Sequence, residues 1–349
     1  VFLLPLSVVL LALVMMMERI NGAARWMTFM GVQFQPSEVA KMAVIIVTAF
    51  ILSKGQDEDG ASPKAFKRIM IITGVICLLI APENLSTAAL LFGVVYLMMF
   101  IGRVAMKKLL ILAGGLAGVA IIGVTFLVLT KNSDLPFLHR FDTWRARIEK
   151  FTNDNEVPAA KFDIDKDAQI AHARIAVATS HVVGKGPGNS VQRDFLSQAF
   201  SDFIFAIIIE ELGLIGGAFV VFLYVCLLIR VGRIAKKCER TFPAFLIIGI
   251  ALLLVSQAIF NMMVAVGLAP VTGQPLPLIS KGGTSTLINC AYIGMILSVS
   301  RYTARLEEQK EHDALIPMQV EVPAEETNSD AQTAAEPTAK VLNSDAEFE

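Results

Sequence analysis

Hydrophobic positions in this chain do not form the narrow stripe of a surface helix; they run on without interruption. Eight apolar runs stand out: Val1–Met17, Val39–Ser53, Ile69–Ala81, Thr87–Ile101, Leu109–Thr130, Phe203–Ile229, Phe242–Leu268 and Thr284–Ser300. A helix that is apolar all round has to be surrounded by apolar material. A run approaching ~20 residues matches the hydrocarbon thickness of a bilayer. Several runs are shorter, so their helices are expected to extend into flanking residues. The pattern predicts an all-α polytopic membrane protein with eight transmembrane helices, both chain ends lying on one side.

The polar stretches between the runs orient the bundle. Lys54, Lys64, Lys67, Arg68, Arg103, Lys107, Lys108, Arg230, Arg233, Lys236, Lys237 and Arg240 all fall in connections on one side. The opposite short connections hold Arg19, Arg25 and Lys281. Excess Lys and Arg mark the cytoplasmic side, so the C-terminal tail is expected to be cytoplasmic. The long connection, residues 131–201, then faces outward. We divide the chain into a transmembrane domain, 1–302, and a disordered acidic tail, 303–349.

Composition agrees with this division. Hydrophobic residues make up 55% of the chain, charged residues 17%, and the mean hydropathy is +0.63. The net charge of -1 conceals a tail from Glu311 onward with ten acids and one base, Lys340. Such a tail cannot bury enough apolar surface to fold alone. The four cysteines and four histidines show no metal-ligand or disulfide spacing, and no nucleic-acid partner is expected. The chain opens at Val1 inside an apolar run, with neither an initiator Met nor a charged n-region, so a preceding segment is expected to be missing from it.

Candidate chemistry begins at Phe200–Gly217, FSDFIFAIIIEELGLIGG. Asp202 stands at the edge of an apolar run, and Glu210 and Glu211 stand within it. A carboxylate at the centre of a membrane helix costs about 2.5–3.5 kcal/mol on insertion scales, so such acids face partners, water or a substrate path. The alternative for Asp202 is helix capping, with Ser201 as N-cap and the acid in the first turn. Glu38 and Lys41, three apart, share a helix face in QPSEVAK; Glu38 is also good first-turn chemistry, and Lys41 can snorkel. In the outward connection Arg140, Arg145, Arg147 and Lys150 surround Trp144, followed by the acidic Asp163, Asp165 and Asp167. Such bases suit a pyrophosphate or anionic headgroup, or form an ordinary solvated loop. A helical stretch, 168–183, leads into Gly184-Lys185-Gly186-Pro187-Gly188, a turn that lets the backbone pass close to another segment. Pro270–Ser285, PVTGQPLPLISKGGTS, reads as a re-entrant hairpin lining a site or as a surface loop.

In chain order, NGAARW (Asn21–Trp26), QPSEVAK (Gln35–Lys41), GKGPGNSVQ (Gly184–Gln192), SDFIFAIIIEELGLIG (Ser201–Gly216) and LPLISKGGTS (Leu276–Ser285) resemble the motifs of the SEDS family, the FtsW/RodA/SpoVE membrane proteins of bacterial cell-wall synthesis. The resemblance runs from about Val1 to Arg301. That family has ten spans, and these eight correspond to its third through tenth.

The resemblance implies a peptidoglycan glycosyltransferase that polymerises lipid II, an undecaprenyl-pyrophosphate-linked substrate. It would work beside a class B penicillin-binding protein and other divisome proteins, with a division role favoured over elongation. Asp202 occupies the place of the family's catalytic acid. Glu38 and Lys41 match its PSExxK motif. Arg140, Arg145, Arg147 and Lys281, or a bound divalent cation, are the candidates for holding the pyrophosphate. There are departures: Gln198 and Phe200 stand where the family often has Glu and His, Lys281 stands where it often has Tyr, and Pro82–Ala88 alters its PDxGTA motif. A lipid II flippase and a non-catalytic scaffold for the transpeptidase are the competing readings.

Overall fold

The computed structural model describes residues 2–16, 27–29, 32–57, 60–129, 167–196 and 199–320. The chain divides into two units, Val1–Ala304 and Arg305–Glu349; the site described below lies in the first. Each of the eight apolar runs folds as an α-helix: α1 (Leu3–Met15), α2 (Pro36–Lys54), α3 (Pro63–Ile80), α4 (Leu85–Ile101), α5 (Met106–Leu129), α7 (Ile204–Lys237), α8 (Thr241–Ala265) and α9 (Gly283–Val320). Another helix, α6 (Asp167–Ala178), precedes α7.

Among the described residues, α2, α5, α7, α8 and α9 are long and apolar enough to cross a membrane. The helices α1 and α4 are apolar but have 13 and 17 residues. In α3, Lys64, Lys67 and Arg68 occupy the first turns.

Local signals explain where helices start. Pro36 opens α2 after the extended Gln35, with Glu38 in the first turn and Lys54 in the last, the charge order that the helix dipole favours. Ser62 caps α3 by accepting from the Ala65 N–H, and Asn84 caps α4 by accepting from Thr87 N–H at 3.2 Å.

The connections are less plain than an all-α reading expects. Two short antiparallel ladders occur, β1 (Met27–Phe29) with β2 (Val32–Phe34), and β3 (Gln56–Asp57) with β4 (Gly60–Ala61). Each lets loop N–H and C=O groups satisfy one another. The helix expected over 168–183 stops at Ala178. There the Thr179 and Ser180 hydroxyls donate back to the Ile175 and Val177 carbonyls, and His181 takes φ +54°. The last helix does not stop at residue 302 but continues to Val320.

Two apolar clusters hold the first unit together. One is built from α2, α4 and α8 around Val44, Ile45, Leu91, Met98, Ile247, Ile250 and Leu254. The crossing is close at Gly249, where an added Cβ would lie 2.6 Å from the Met98 methyl. The other joins α6, the start of α7 and the later turns of α8 through Ala173, Phe203, Ala206, Ala258, Val264 and Leu276. Since α8 serves both clusters, its polar residues fall where the two meet.

Candidate active site

Asp202 is not a helix cap. The N-cap of α7 is Phe203, its first turn contains no acid, and Asp202 sits in the turn ahead of it. The expectation that Ser201 caps the helix fails because the chain turns two residues more before it winds. Ser201 Oγ instead donates to Asp202 Oδ1 at 3.1 Å. The residue is half-buried.

What fixes this turn is its backbone. The Phe200 carbonyl accepts from the Lys281 N–H at 2.8 Å, the Ser201 carbonyl from Ser280 Oγ at 2.6 Å, and the Asp202 carbonyl from Asn261 Nδ2 at 2.9 Å. The loop following α8 therefore packs against the turn that carries Asp202. Part of that loop is covered by protein: Gln274, Leu276, Pro277 and Ser280 are buried. Gln274 Nε2 donates to Thr87 Oγ1, Tyr224 OH to the Pro277 carbonyl, and Gln257 Nε2 to the Pro275 carbonyl at 3.1 Å. Pro270–Ser285 is thus anchored to the bundle at several points, while Leu278 and Ile279 stay exposed.

One turn before Asn261 on α8, Gln257 reaches the other way. Its Oε1 accepts from Lys41 Nζ at 3.2 Å, and Lys41 Nζ lies 2.7 Å from Glu38 Oε1. Lys41 does not snorkel: its side chain is fully buried and that of Glu38 is 5% exposed. Ionised groups removed from water need a partner at this range, and each supplies the other's. One face of α8 thus ties the Glu38–Lys41 pair to the turn bearing Asp202.

Glu210 belongs to a separate device. It is fully buried, and its carboxylate accepts from Lys185 Nζ (2.6 Å), Ser190 Oγ (2.5 Å), the Val191 N–H (3.2 Å) and the Gln192 N–H (3.3 Å). The glycine-rich loop also donates from its backbone, Lys185 N–H to the Glu210 carbonyl and Gly186 N–H to the Glu211 carbonyl. At Gly213, φ +73°, α7 is interrupted. The loop crosses there so closely that a Cβ on Gly184 would stand 2.3 Å from the Gly213 nitrogen.

The structure brings Glu38, Lys41 and Asp202 into one network and puts the main chain of the exposed Lys281 beside Asp202. Arg140, Arg145 and Arg147 lie outside the described residues. Among the described residues no three His, Cys, Asp or Glu side chains gather as metal ligands. Gln257 and Asn261 escaped the sequence reading. Two amides four residues apart in an otherwise apolar run were the available signal, because the i, i+4 spacing puts both on one face.

The model of the family of FtsW, RodA and SpoVE proteins, described as "Cell cycle protein", matches residues 1–305. The "Probable peptidoglycan glycosyltransferase FtsW" of Geobacter sp. strain M18 is 34% identical over 282 residues, 80% of this chain and 72% of the relative. The protein of the same name from Halomonas elongata is 33% identical over 317 residues, 88% and 75% of the two chains. Among solved structures, a chain from "Structural coordination of polymerization and crosslinking by a peptidoglycan synthase complex" is similar at TM-score 0.66 and 26% identity, covering 86% of this chain and 80% of its own. The rod shape determining protein RodA of Thermus thermophilus shares the fold at TM-score 0.58 and 24% identity, covering 86% and 76%. With a family model spanning all but the last 44 residues and relatives of this identity, the chain belongs to the FtsW/RodA/SpoVE family.

Proposed function

We propose that this chain is a peptidoglycan glycosyltransferase that polymerises lipid II into glycan strands at the division septum, with Asp202 as its general base. The reaction needs a proton taken from an acceptor sugar hydroxyl as its oxygen forms the new glycosidic bond. The donor's bond to its pyrophosphate breaks, and undecaprenyl-pyrophosphate leaves. A positioned carboxylate is suited to the first task, typically worth about 10²–10⁴ in rate. The observation that carries this reading is that Asp202 is a half-buried acid with no capping duty, on a turn fixed through three successive carbonyls.

The buried Glu38–Lys41 pair shapes the substrate site from behind, through Gln257 on α8. Lys281, with Arg140, Arg145 and Arg147 or a divalent cation, holds the pyrophosphate electrostatically. The eight helices span the inner membrane, residues 131–201 face outward, and the tail from 303 lies in the cytoplasm. The partner is a class B penicillin-binding protein, a reading supported by the likeness to a chain of a peptidoglycan synthase complex.

The test is Asp202→Asn in the full-length protein, purified in detergent and supplied with lipid II. Polymer should vanish from the gel while yield and elution profile match wild type. Wild-type glycan lengths from that variant would remove Asp202 from the reaction. If wild type makes no polymer but moves lipid II across vesicles, the flippase reading takes its place.

A further inference from the structure

We propose that Asn261 is a positioning residue for Asp202, holding the catalytic turn against α8 so that turnover, not substrate affinity, depends on its amide. The inference rests on the reading of Asp202 as the base.

Asp202 lies outside the hydrogen-bond ladder of α7, so the helix does not set its backbone. Two of the three bonds that hold its turn, from Ser280 and Lys281, come from a loop. The third comes from Asn261, in the last two turns of α8. A primary amide nitrogen has two hydrogens, and both are engaged: Nδ2 lies 2.9 Å from the Asp202 carbonyl and 2.8 Å from the Gln274 carbonyl. The same group therefore clamps the catalytic turn and the start of the loop that grips its other two carbonyls. Turning the amide over would set Oδ1 against two carbonyl oxygens, so its orientation is fixed by its partners. No other side chain of this size donates two hydrogens from one atom while staying neutral. Asp would present acceptors to acceptors, and Ala would remove the donor that both carbonyls share. Asn261 is 1% exposed, and its Oδ1 accepts no hydrogen bond. It occupies this place for what it donates.

Misplacing a reacting group by about 1 Å can cost about 10²-fold in rate. The full-length protein carrying Asn261→Ala, assayed in detergent over a range of lipid II concentrations, should lose about 10- to 100-fold in kcat. Its KM should stay within about twofold of wild type, the split expected when only transition-state geometry is disturbed. Asn261→Ser, which keeps one donor hydrogen, should fall between the two. A kcat within about threefold of wild type per folded molecule overturns the proposal, even if the variant accumulates poorly, since that is what a packing role gives. A rise in KM at unchanged kcat overturns it too. If Asn261→Ala does not accumulate, Asn261→Ser is read by the same split. Asp202→Asn is run alongside. If it polymerises, the base reading itself has failed; if it is inactive while Asn261→Ala keeps full kcat, only the present inference has.

Discussion

Asp202 and Glu210 stand eight residues apart in one motif, yet the protein treats them in opposite ways. Glu210 is fully buried and its two oxygens accept four hydrogen bonds, one of them from an ammonium. Asp202 is half-buried, and the tight grip falls on its main-chain carbonyl through Asn261, with Ser201 reaching the carboxylate at 3.1 Å. An acid saturated with donors has been put to use holding structure, because any displacement of those donors costs free energy. An acid that is only half-buried, on a turn whose backbone is pinned, is held in place without being sealed in. Spacing and composition alone do not separate the two cases.

The comparison breaks most sharply at Glu210. Glu210→Ala leaves the Lys185 ammonium, the Ser190 hydroxyl and two N–H groups without their acceptor. Lys185 is 30% exposed and can turn to water, so most of the cost is the loss of the acceptor for the buried hydroxyl and the two N–H groups, about 1–3 kcal/mol for each group left unsatisfied. The expected outcome is a large fall in accumulation and in the melting temperature measured in detergent, the reverse of Asp202→Asn. If Glu210→Ala melts like wild type but makes no glycan, Glu210 acts in the chemistry and the contrast is wrong.

Glu38 tests which side of the contrast a third acid belongs to. Like Glu210 it is buried against an ammonium, yet through Lys41, Gln257 and Asn261 it connects to the turn that carries Asp202. Lys41→Met alone strands a buried carboxylate and should destabilise by about 3 kcal/mol. Adding Glu38→Gln should recover most of that stability, because neither charge then remains. Polymerisation by the double variant should stay low, as expected if the pair supports the site at Asp202 through α8. Full activity in the double variant would group Glu38 with Glu210 as structure alone.

The eight apolar helices were legible as runs, and the motif singled out Asp202 as a candidate. Local chemistry sufficed there: an apolar run has few alternatives to a helix, and Pro36 marks a start that the structure keeps. The rest depended on long-range contacts. Ser201 had the right chemistry for a cap, but Ser280 and Lys281, some 80 residues away in sequence, hold the turn open and move the helix start to Phe203. Lys41 had the right length to snorkel, and its partner Gln257 is 216 residues away. The Gly184 loop advertised a close approach without saying to what. The answer, a second glycine at which α7 is interrupted, required both segments to be folded.

That close approach gives the mildest and most discriminating prediction. Gly184 and Gly188 both have left-handed backbone, φ +79° and +81°. Alanine in that conformation costs roughly 1–2 kcal/mol at either position. Only at Gly184 would the new methyl strike anything: it would meet the Gly213 nitrogen at 2.3 Å and the Glu211 carbonyl oxygen at 2.4 Å, whereas at Gly188 nothing lies within 4 Å. Gly184→Ala should therefore lower the melting temperature more than Gly188→Ala. It should also speed tryptic cleavage after Lys185, since the loop must lift from α7 to make room. Equal losses from the two variants would show that the loop is not pressed on the helix break. Polymerisation per folded molecule should be retained in Gly188→Ala, and a loss there would mean that this loop, and not only the turn at Asp202, takes part in the reaction.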